Sequence, residues 1–310
     1  MIETEHLTRR FGEMTAVEDL TLQVREGEIF GLIGPNGAGK TTTVRMLTGL
    51  ISKTSGSARV AGCEVGDPKD ELALRRRIGL LPENVGLYEG SSAYQNLEYF
   101  AELYDLDAST RKTNIERLLR MMGLWEKRDL PLGTFSKGMK QKVAIARALV
   151  HDPTVLFLDE PTANLDPEAA KTVRDLILDL QKEKRTIFVN THNLDEAQRI
   201  CTRIAVLRSR LLMLGTPEEL KARLWGARTV VRVAEASEAL AAAVVAKLGP
   251  RKVEVVGDEI TFEVTDPDRE NPEIVEALVA AGGAVRQVTQ LSPTLEDVYL
   301  NLVHQGEGRP

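Results

Sequence analysis

The feature that most constrains this chain is a glycine-rich loop placed between an apolar strand and a helix. Residues 28–33 form a short apolar run, and residues 41–47 have the pattern of a helix stopped by Gly49. The segment between them fits G-x-x-x-x-G-K-[ST], in which backbone N–H groups and the helix start point at one anion. We expect this loop to bind nucleotide phosphates, with Lys40 on the β- and γ-phosphates and the Thr41 hydroxyl on Mg²⁺. Its residues are Gly34, Pro35, Asn36, Gly37, Ala38, Gly39, Lys40 and Thr41.

A second apolar strand supplies two carboxylates. Residues 155–158 are predicted to form a buried strand that ends in Asp159 and Glu160. We expect Asp159 to lie beside Mg²⁺ and Glu160 to polarise an attacking water. A strand that ends in these two residues is common by itself, but together with the phosphate loop it favours nucleotide hydrolysis.

Strand and helix patterns alternate through the first part of the chain. A helix with Asp166 as its N-cap follows the second apolar strand, and residues 91–150 are largely helical in pattern. Strands that alternate with helices indicate an α/β fold with a mostly parallel sheet covered on both sides. The predicted strands are 20–24, 28–33, 155–158, 186–189 and 204–207.

The last part of the chain differs in pattern and in charge. We place the domain boundary near Trp225-Gly226, so that residues 1–225 form one domain and residues 226–310 another. The second domain holds 8 Lys and Arg against 14 Asp and Glu, which accounts for the whole net charge of −6. Its predicted order is β-α-β-β-α-β, a ferredoxin-like α+β unit. Its predicted helices span residues 237–248 and 272–281, and a further helix opens at Ser292-Pro293.

Composition argues against several classes of protein. The longest apolar run, Ala239–Ala246, has eight residues, far short of the ~20 that cross a bilayer. The N-terminus shows no basic region followed by an apolar stretch, and Cys63 and Cys201 have no partner spacing. An acidic net charge argues against non-specific nucleic-acid binding. We therefore expect an intracellular chain with no membrane span and no nucleic-acid partner.

A short motif before the second apolar strand narrows the class. Phe135-Ser-Lys-Gly-Met139 precedes a helix predicted at 140–149. With this segment the chain, over about residues 2–215, resembles the ATP-binding-cassette (ABC) ATPases, in which a Leu-Ser-Gly-Gly-Gln-like signature completes the partner subunit's nucleotide site. The resemblance implies an ABC cassette of the P-loop NTPase class, with a helical subdomain at about 91–150. It also implies that the chain hydrolyses ATP with Mg²⁺.

The resemblance assigns roles to individual residues. It implies that Phe11 stacks on adenine, that Glu83 in the Q-loop binds Mg²⁺, and that His192, the switch histidine, contacts the γ-phosphate. The implied catalytic set is Glu160, His192, Lys40 and Asp166, the last in the D-loop, and the implied Mg²⁺ ligands are Thr41, Asp159 and Glu83. Further implied ATP contacts are Val17 and Thr42 in the same subunit, with Ser136 and Gly138 facing the partner subunit's ATP.

Several residues depart from the family pattern. Glu83 replaces the usual glutamine, Lys137 the first signature glycine, and Met139 the signature glutamine. In the D-loop, Ala163 and Asn164 replace serine and alanine. The signature and Q-loop residues are similar to those of the branch that exports drugs, sodium and antibiotics through separately encoded permeases. Residues 292–300 resemble the end of the accessory C-terminal domain of that branch.

The resemblance therefore implies an ATPase subunit of an ABC exporter. It implies a homodimer that powers a separate transmembrane permease, bound peripherally at the cytoplasmic face of the cell membrane. The C-terminal domain is expected to dock or to stabilise the dimer.

Two alternatives stay open. One is a soluble ABC ATPase of translation or DNA repair, although such proteins carry two cassettes or a long coiled coil. The other is a nucleotide-dependent regulatory protein, which the presence of Lys40, Asp159, Glu160 and His192 disfavours. An assay of Mg²⁺-dependent hydrolysis separates the enzymatic from the regulatory alternative.

Overall fold

The computed structural model describes residues 1–224, 227–291 and Glu296. The chain divides into two compact units, Met1–Thr216 and Pro217–Pro310. This division by contacts comes at Thr216, while the boundary near Trp225-Gly226 stays a prediction because both of those residues lie outside the described part. Within the described residues, no helix is both long and apolar enough to cross a membrane.

The first unit contains two sheets and the helices that cover them. Its strands are β1 (Ile2–Phe11), β2 (Met14–Val24), β3 (Ile29–Ile33), β4 (Ser55–Val60), β5 (Cys63–Glu64), β6 (Ile78–Leu81), β7 (Val155–Asp159), β8 (Thr186–Thr191), β9 (Arg203–Arg208) and β10 (Arg210–Gly215). Its helices are α1 (Lys40–Leu47), α2 (Glu71–Arg77), α3 (Ala93–Leu103), α4 (Ala108–Met121), α5 (Lys137–Leu149), α6 (Pro167–Lys182) and α7 (Leu194–Ile200).

The larger sheet has six strands in the order β10-β9-β3-β8-β7-β6. All neighbouring pairs are parallel except β9 with β10, so the predicted mostly parallel α/β sheet is confirmed. Its register pairs Ile33 with Thr191 and Asp159 with Asn190. Because parallel strands end at one edge, the ends of β3, β7 and β8 bring their following loops together.

The smaller sheet is antiparallel, in the order β2-β1-β4-β5. The predicted strand 20–24 lies here, at the end of β2, and not in the larger sheet, whereas the rest of this sheet was not predicted. Its pairing shifts register between Thr4 and Leu7 and again between Leu7 and Arg9. Such bulges break the two-residue alternation that identifies a strand in a sequence. Ile2 and Leu7 of this sheet share one buried core with Phe157 of the larger sheet.

Residues 91–150 are largely helical, as predicted. Ser92 and Gln95 form a reciprocal capping box at the start of α3, and Asp107 caps α4. The predicted start of the next helix at residue 140 is wrong. Ser136 accepts a hydrogen bond from the Met139 N–H at 3.3 Å, and this cap starts α5 at Lys137.

The second unit contains a four-stranded antiparallel sheet. Its strand order, β12-β13-β11-β14, confirms the predicted ferredoxin-like β-α-β-β-α-β unit. The helix predicted from Pro272 begins earlier, at Pro267, because Asp266 caps it and Pro272 lies inside it. The helix predicted at Ser292-Pro293 lies outside the described residues. The elements are α8 (Pro217–Leu224), β11 (Ala227–Val233), α9 (Glu238–Leu248), β12 (Val253–Val256), β13 (Glu259–Val264), α10 (Pro267–Ala280) and β14 (Val285–Leu291).

Candidate nucleotide site

The glycine-rich loop connects β3 to α1, as its sequence pattern predicts. Gly39 directly precedes the helix with φ +94°, a conformation that residues with a Cβ rarely adopt. A Cβ at this position would also lie 2.2 Å from the Ala16 carbonyl oxygen. Gly39 is therefore required both by the backbone turn and by the close approach of β2.

Lys40 places its ammonium group inside the loop. The side chain is buried, and Nζ donates hydrogen bonds to the Gly34 carbonyl at 2.8 Å and the Pro35 carbonyl at 3.1 Å. Burial lowers the pKa of Lys40, while the negative charges of Glu160, Asp159 and Glu83 act in the opposite direction. The loop thus encloses a cation where the sequence pattern places phosphate.

Asp159 and Thr41 meet at one buried amide. Asn190 Nδ2 donates to Asp159 Oδ1 and lies 3.4 Å from Thr41 Oγ1, so it holds the carboxylate close to the hydroxyl. Burial raises the pKa of Asp159, and the hydrogen bond from Asn190 opposes that shift. Asn190 Oδ1 is buried without a hydrogen-bond partner. No role was predicted for Asn190, although a polar residue near the end of an apolar strand is the signal that could have indicated it.

The oxygen donors of Thr41 and Asp159 are of the kind that Mg²⁺ prefers. Mg²⁺ sites commonly use one or two carboxylates and complete their shell with phosphates and water. The described residues contain no group of three or more His, Cys, Asp or Glu side chains that could hold a metal ion. Glu83, the third predicted ligand, lines the same cavity as Thr41.

Glu160 and His192 are in direct contact. Glu160 Oε1 accepts the backbone N–H of His192 at 3.1 Å and lies 2.8 Å from His192 Nδ1. Glu160 has φ +52°, a left-handed conformation that costs a non-glycine residue about 1–3 kcal/mol and is concentrated at functional sites. The Glu160 side chain is 13% exposed and that of His192 is 61% exposed, and both line the same cavity.

An apolar surface faces the loop from the β1–β2 hairpin. Phe11 and Met14 flank its turn with exposures of 42% and 62%, and the Arg9 guanidinium lies 4.4 Å above the Phe11 ring. Phe11 was predicted at this place, whereas Met14 was not. A flexible methionine beside an aromatic ring suits a surface that contacts a flat apolar group.

One cavity of about 770 Å³ joins these groups, a size typical of small-molecule sites. Gly34 and Pro35 lie in the same loop but do not line the cavity, and neither does Asp159. Val17 is fully buried, and its Cγ2 would lie 3.0 Å from a Cβ at Gly39, so it supports the loop from behind. The predicted residues that do line the cavity are Phe11, Asn36, Gly37, Ala38, Gly39, Lys40, Thr41, Thr42, Glu83, Glu160 and His192.

The D-loop residues lead from Glu160 to helix α6. Asp166 caps this helix by accepting the N–H groups of Glu168 and Ala169 at 3.1 and 2.9 Å. Asn164 has φ +59°, and asparagine tolerates that region better than alanine does. The local backbone thus accounts for one departure from the family pattern.

The signature residues do not line the cavity of this chain. Gly138 is buried, and a Cβ there would lie 2.8 Å from the Ala169 Cβ on α6. Lys137, by contrast, is exposed. Glycine is therefore required at the packed position of the motif and replaceable at the exposed one. Ser136, also exposed, caps α5.

Arg147 connects the signature helix to the Q-loop. Its guanidinium donates to the carbonyls of Val85 and, at 3.1 Å, Gly86, and it lies 4.9 Å above the Phe100 ring. Burial lowers the pKa of Arg147. Arg147 was not predicted, because nothing in a helix pattern shows that an arginine turns inward.

Two families match the chain, one for each unit. Residues 17–163 match the family described as ABC transporter, and residues 215–303 match the C-terminal domain of ATP-binding proteins described as DrrA1-3-like. The two matches follow the order of the two units.

Two relatives match over almost the whole chain. The linearmycin resistance ATP-binding protein LnrL of Bacillus subtilis (strain 168) is 31% identical over 97% of this chain and 98% of its own length. The daunorubicin resistance ATP-binding protein DrrA3 of Streptomyces coeruleorubidus is 35% identical over 97% of this chain and 95% of its own length.

A solved structure matches the first unit. It is the dimeric post-hydrolysis state of the ATP-binding cassette MJ0796 bound to ADP and Pi, with a TM-score of 0.63 and 25% identity. The match covers 70% of this chain and 98% of that cassette.

Proposed function

The chain belongs to the ABC transporter family, and we propose that Lys40, Glu160 and His192 carry out its ATP hydrolysis in the cavity described above. It is the ATP-binding and ATP-hydrolysing subunit of an ABC exporter. The observation that carries the assignment of the site is the convergence of the phosphate loop, the Glu160–His192 pair and the Phe11 surface on one cavity.

The geometry supports a division of roles for hydrolysis. Lys40 stabilises the charge that develops on the phosphates, since its ammonium group is already enclosed by the loop. Glu160 orients the attacking water, and His192, held against Glu160 Oε1, contacts the γ-phosphate. Phe11 with Met14 accepts the adenine ring.

Mg²⁺ would be held by Thr41 and Asp159, with Glu83 at the cavity wall. When bound, it neutralises charge on the transferred phosphate. The chain's own contribution is to position these oxygens, because Asn190 contacts both the Thr41 hydroxyl and the Asp159 carboxylate.

A second copy of the subunit completes each site. Ser136 and the backbone of Gly138 lie at the N-terminus of α5, a 13-residue helix whose free N–H groups suit an anion. They do not line this chain's cavity, so we assign them to the ATP of a partner subunit, with Asp166 near the same interface. The dimeric state of the MJ0796 cassette supports this arrangement, and a homodimer is the simplest form.

A separate permease carries the cargo across the membrane. As the ATP-binding subunit of an ABC exporter, the chain would act peripherally at the cytoplasmic face of the membrane. We place permease contact at the Q-loop and the helices of residues 91–150. Tyr88 and Tyr99 are 54% and 45% exposed there and pack edge to face. Arg147 would link that surface to the signature helix.

The second unit is proposed to stabilise pairing or permease docking. Its match to the C-terminal domain of DrrA1-3-like ATP-binding proteins supports this proposal. The exporter-like segment at 292–300 lies, apart from Glu296, outside the described residues. The match of the whole chain to two antibiotic-resistance ATP-binding proteins also favours export over a soluble translation or repair role and over a purely regulatory one.

Steady-state ATP hydrolysis by the purified full chain tests the proposal. We expect turnover that needs Mg²⁺ and that Lys40→Ala abolishes, with Lys182→Ala as the matched control. Lys182 is an exposed lysine paired with Asp179 outside the cavity, so its loss leaves turnover unchanged. Hydrolysis that persists in Lys40→Ala would contradict the assigned site.

A further inference from the structure

A buried glutamate behind the cavity has no role in the mechanism above. Glu196 is 1% exposed and occupies the third position of α7. Its spacing from the cap Asn193 is that of a capping box, in which the glutamate would accept the cap's N–H. Here the Asn193 N–H instead donates to Thr191 Oγ1 at 3.0 Å. Capping therefore does not account for the Glu196 carboxylate.

The carboxylate joins two segments of the nucleotide site. One oxygen accepts the Thr162 hydroxyl at 2.7 Å, and the other accepts the Thr191 hydroxyl at 2.9 Å. Thr162 lies between Glu160 and the D-loop, and Thr191 directly precedes His192. Both threonines are themselves buried.

Stability alone does not explain a carboxylate in this position. Burial raises the pKa of Glu196 and the Glu160 charge adds to that shift, while the hydrogen bonds from Thr162 and Thr191 and the charge of Arg174 lower it without cancelling it. Removing a carboxylate from water is costly, and an apolar side chain of similar size would commonly fill such a place at less cost. The arrangement favours a role that depends on the two hydrogen bonds.

We propose that Glu196 is a positioning residue that holds Thr162 and Thr191 at a fixed separation and so aligns the D-loop with the Glu160–His192 pair. This inference rests on the proposed ATPase function. Thr191 Oγ1 also lies 3.4 Å from Glu160 Oε2, but its single proton serves the shorter bond to Glu196. Glu160 Oε2 then stays available for the water while Oε1 is held by His192.

Turnover of Glu196→Gln tests the proposal. The amide keeps one acceptor oxygen and puts an N–H donor in place of the other, so one of the two threonine hydroxyls must accept a hydrogen bond instead of donating it, which changes the hydrogen bonding that holds the pair. We expect kcat to fall about 10- to 100-fold, the order that misplacing a reacting group by 1 Å costs, with KM for ATP unchanged within about twofold. Glu28→Gln is the matched control. Glu28 is also a buried glutamate, bonded to the Arg25 N–H and to Arg203, and lies outside the cavity, so its kcat should stay at the wild-type value.

A second pair of variants keeps the test decisive if Glu196→Gln folds poorly. Thr162→Val removes one hydroxyl and should reproduce the loss of kcat, whereas Thr162→Ser should retain kcat near the wild-type value. In the double variant Glu196→Gln/Thr162→Val the two losses of kcat should not add. Wild-type kcat in folded Glu196→Gln and Thr162→Val, or equal loss in Thr162→Ser and Thr162→Val, overturns the inference. Absence of hydrolysis in the wild-type chain overturns the proposed function instead.

Discussion

The packing of Gly138 against α6 predicts a specific defect and its repair. In Gly138→Ala the new methyl group would lie 2.8 Å from the Ala169 Cβ, so α5 and α6 must separate or distort. Overpacking of this kind costs about 1–3 kcal/mol. Alanine in place of glycine in a helix returns about 1 kcal/mol, which leaves a net loss of about 0–2 kcal/mol in the free energy of unfolding.

Ala169→Gly removes the group that the new methyl would contact. The next nearest atom, the Ala169 Cα, is 3.9 Å away, so the double variant should fit without distortion. Ala169→Gly alone costs about 1 kcal/mol in helix propensity. The effects of the two single variants would therefore sum to a loss of about 1–3 kcal/mol in the free energy of unfolding. The double variant should instead be as stable as the wild type, because its two changes in helix propensity cancel.

Urea unfolding of the four proteins measures this coupling, and ATP hydrolysis shows whether the signature geometry returns with it. We expect Gly138→Ala to lose turnover and the double variant to regain it. Gly90→Ala is the control, because a Cβ there would meet no atom within 4 Å. A double variant as unstable as the sum of its parts would refute the packing explanation.

Two further predictions concern the helical subdomain. Burial lowers the pKa of His151 to about 4, so the unfolded chain binds its proton first as the pH falls. The contribution of neutral, buried His151 to the free energy of unfolding is therefore complete above pH ~6.5 and lost toward pH ~4, in total about 3 kcal/mol. His151→Phe should remove that part of the pH dependence of unfolding. An identical pH profile in the variant would contradict this. Arg147→Lys lacks the planar guanidinium, whose Nη1 donates to both Val85 and Gly86 while the group lies on the Phe100 ring, so amide exchange at residues 84–88 should accelerate. Unchanged exchange would show that the guanidinium does not hold the loop.

The α/β core of the first unit could be predicted because its strands are short apolar runs and its loop has a distinctive pattern. Strands β3, β7 and β8 are buried throughout, which is the sequence signature of a central parallel strand. Of the antiparallel sheet only residues 20–24 of β2 were predicted, and β1 was not, because bulges interrupt its alternation. The early start of α10 escaped because Pro272 resembled a helix start, although Asp266 provides the cap.

The residues of the site also fall into those that could be predicted from the sequence and those that could not. Lys40, Asp159, Glu160 and His192 follow strands or motifs that are visible in the sequence, so their neighbourhood could be anticipated. Asn190 and Glu196 could not be assigned, because their partners come from strand register and from helix packing across the fold. The spacing from Asn193 to Glu196 resembles an ordinary helix cap, and only the three-dimensional contacts show that the carboxylate turns inward.

The most direct test of the central claim is turnover by Glu160→Gln, measured together with ATP binding and oligomeric state. The amide oxygen can still accept the His192 N–H, so the local fold should persist. Loss of the carboxylate should lower kcat about 10²–10⁴-fold, as expected for a group that assists proton transfer, while ATP still binds and a nucleotide-bound dimer accumulates. Undiminished hydrolysis in this variant would contradict the assignment of Glu160 and with it the account of the site.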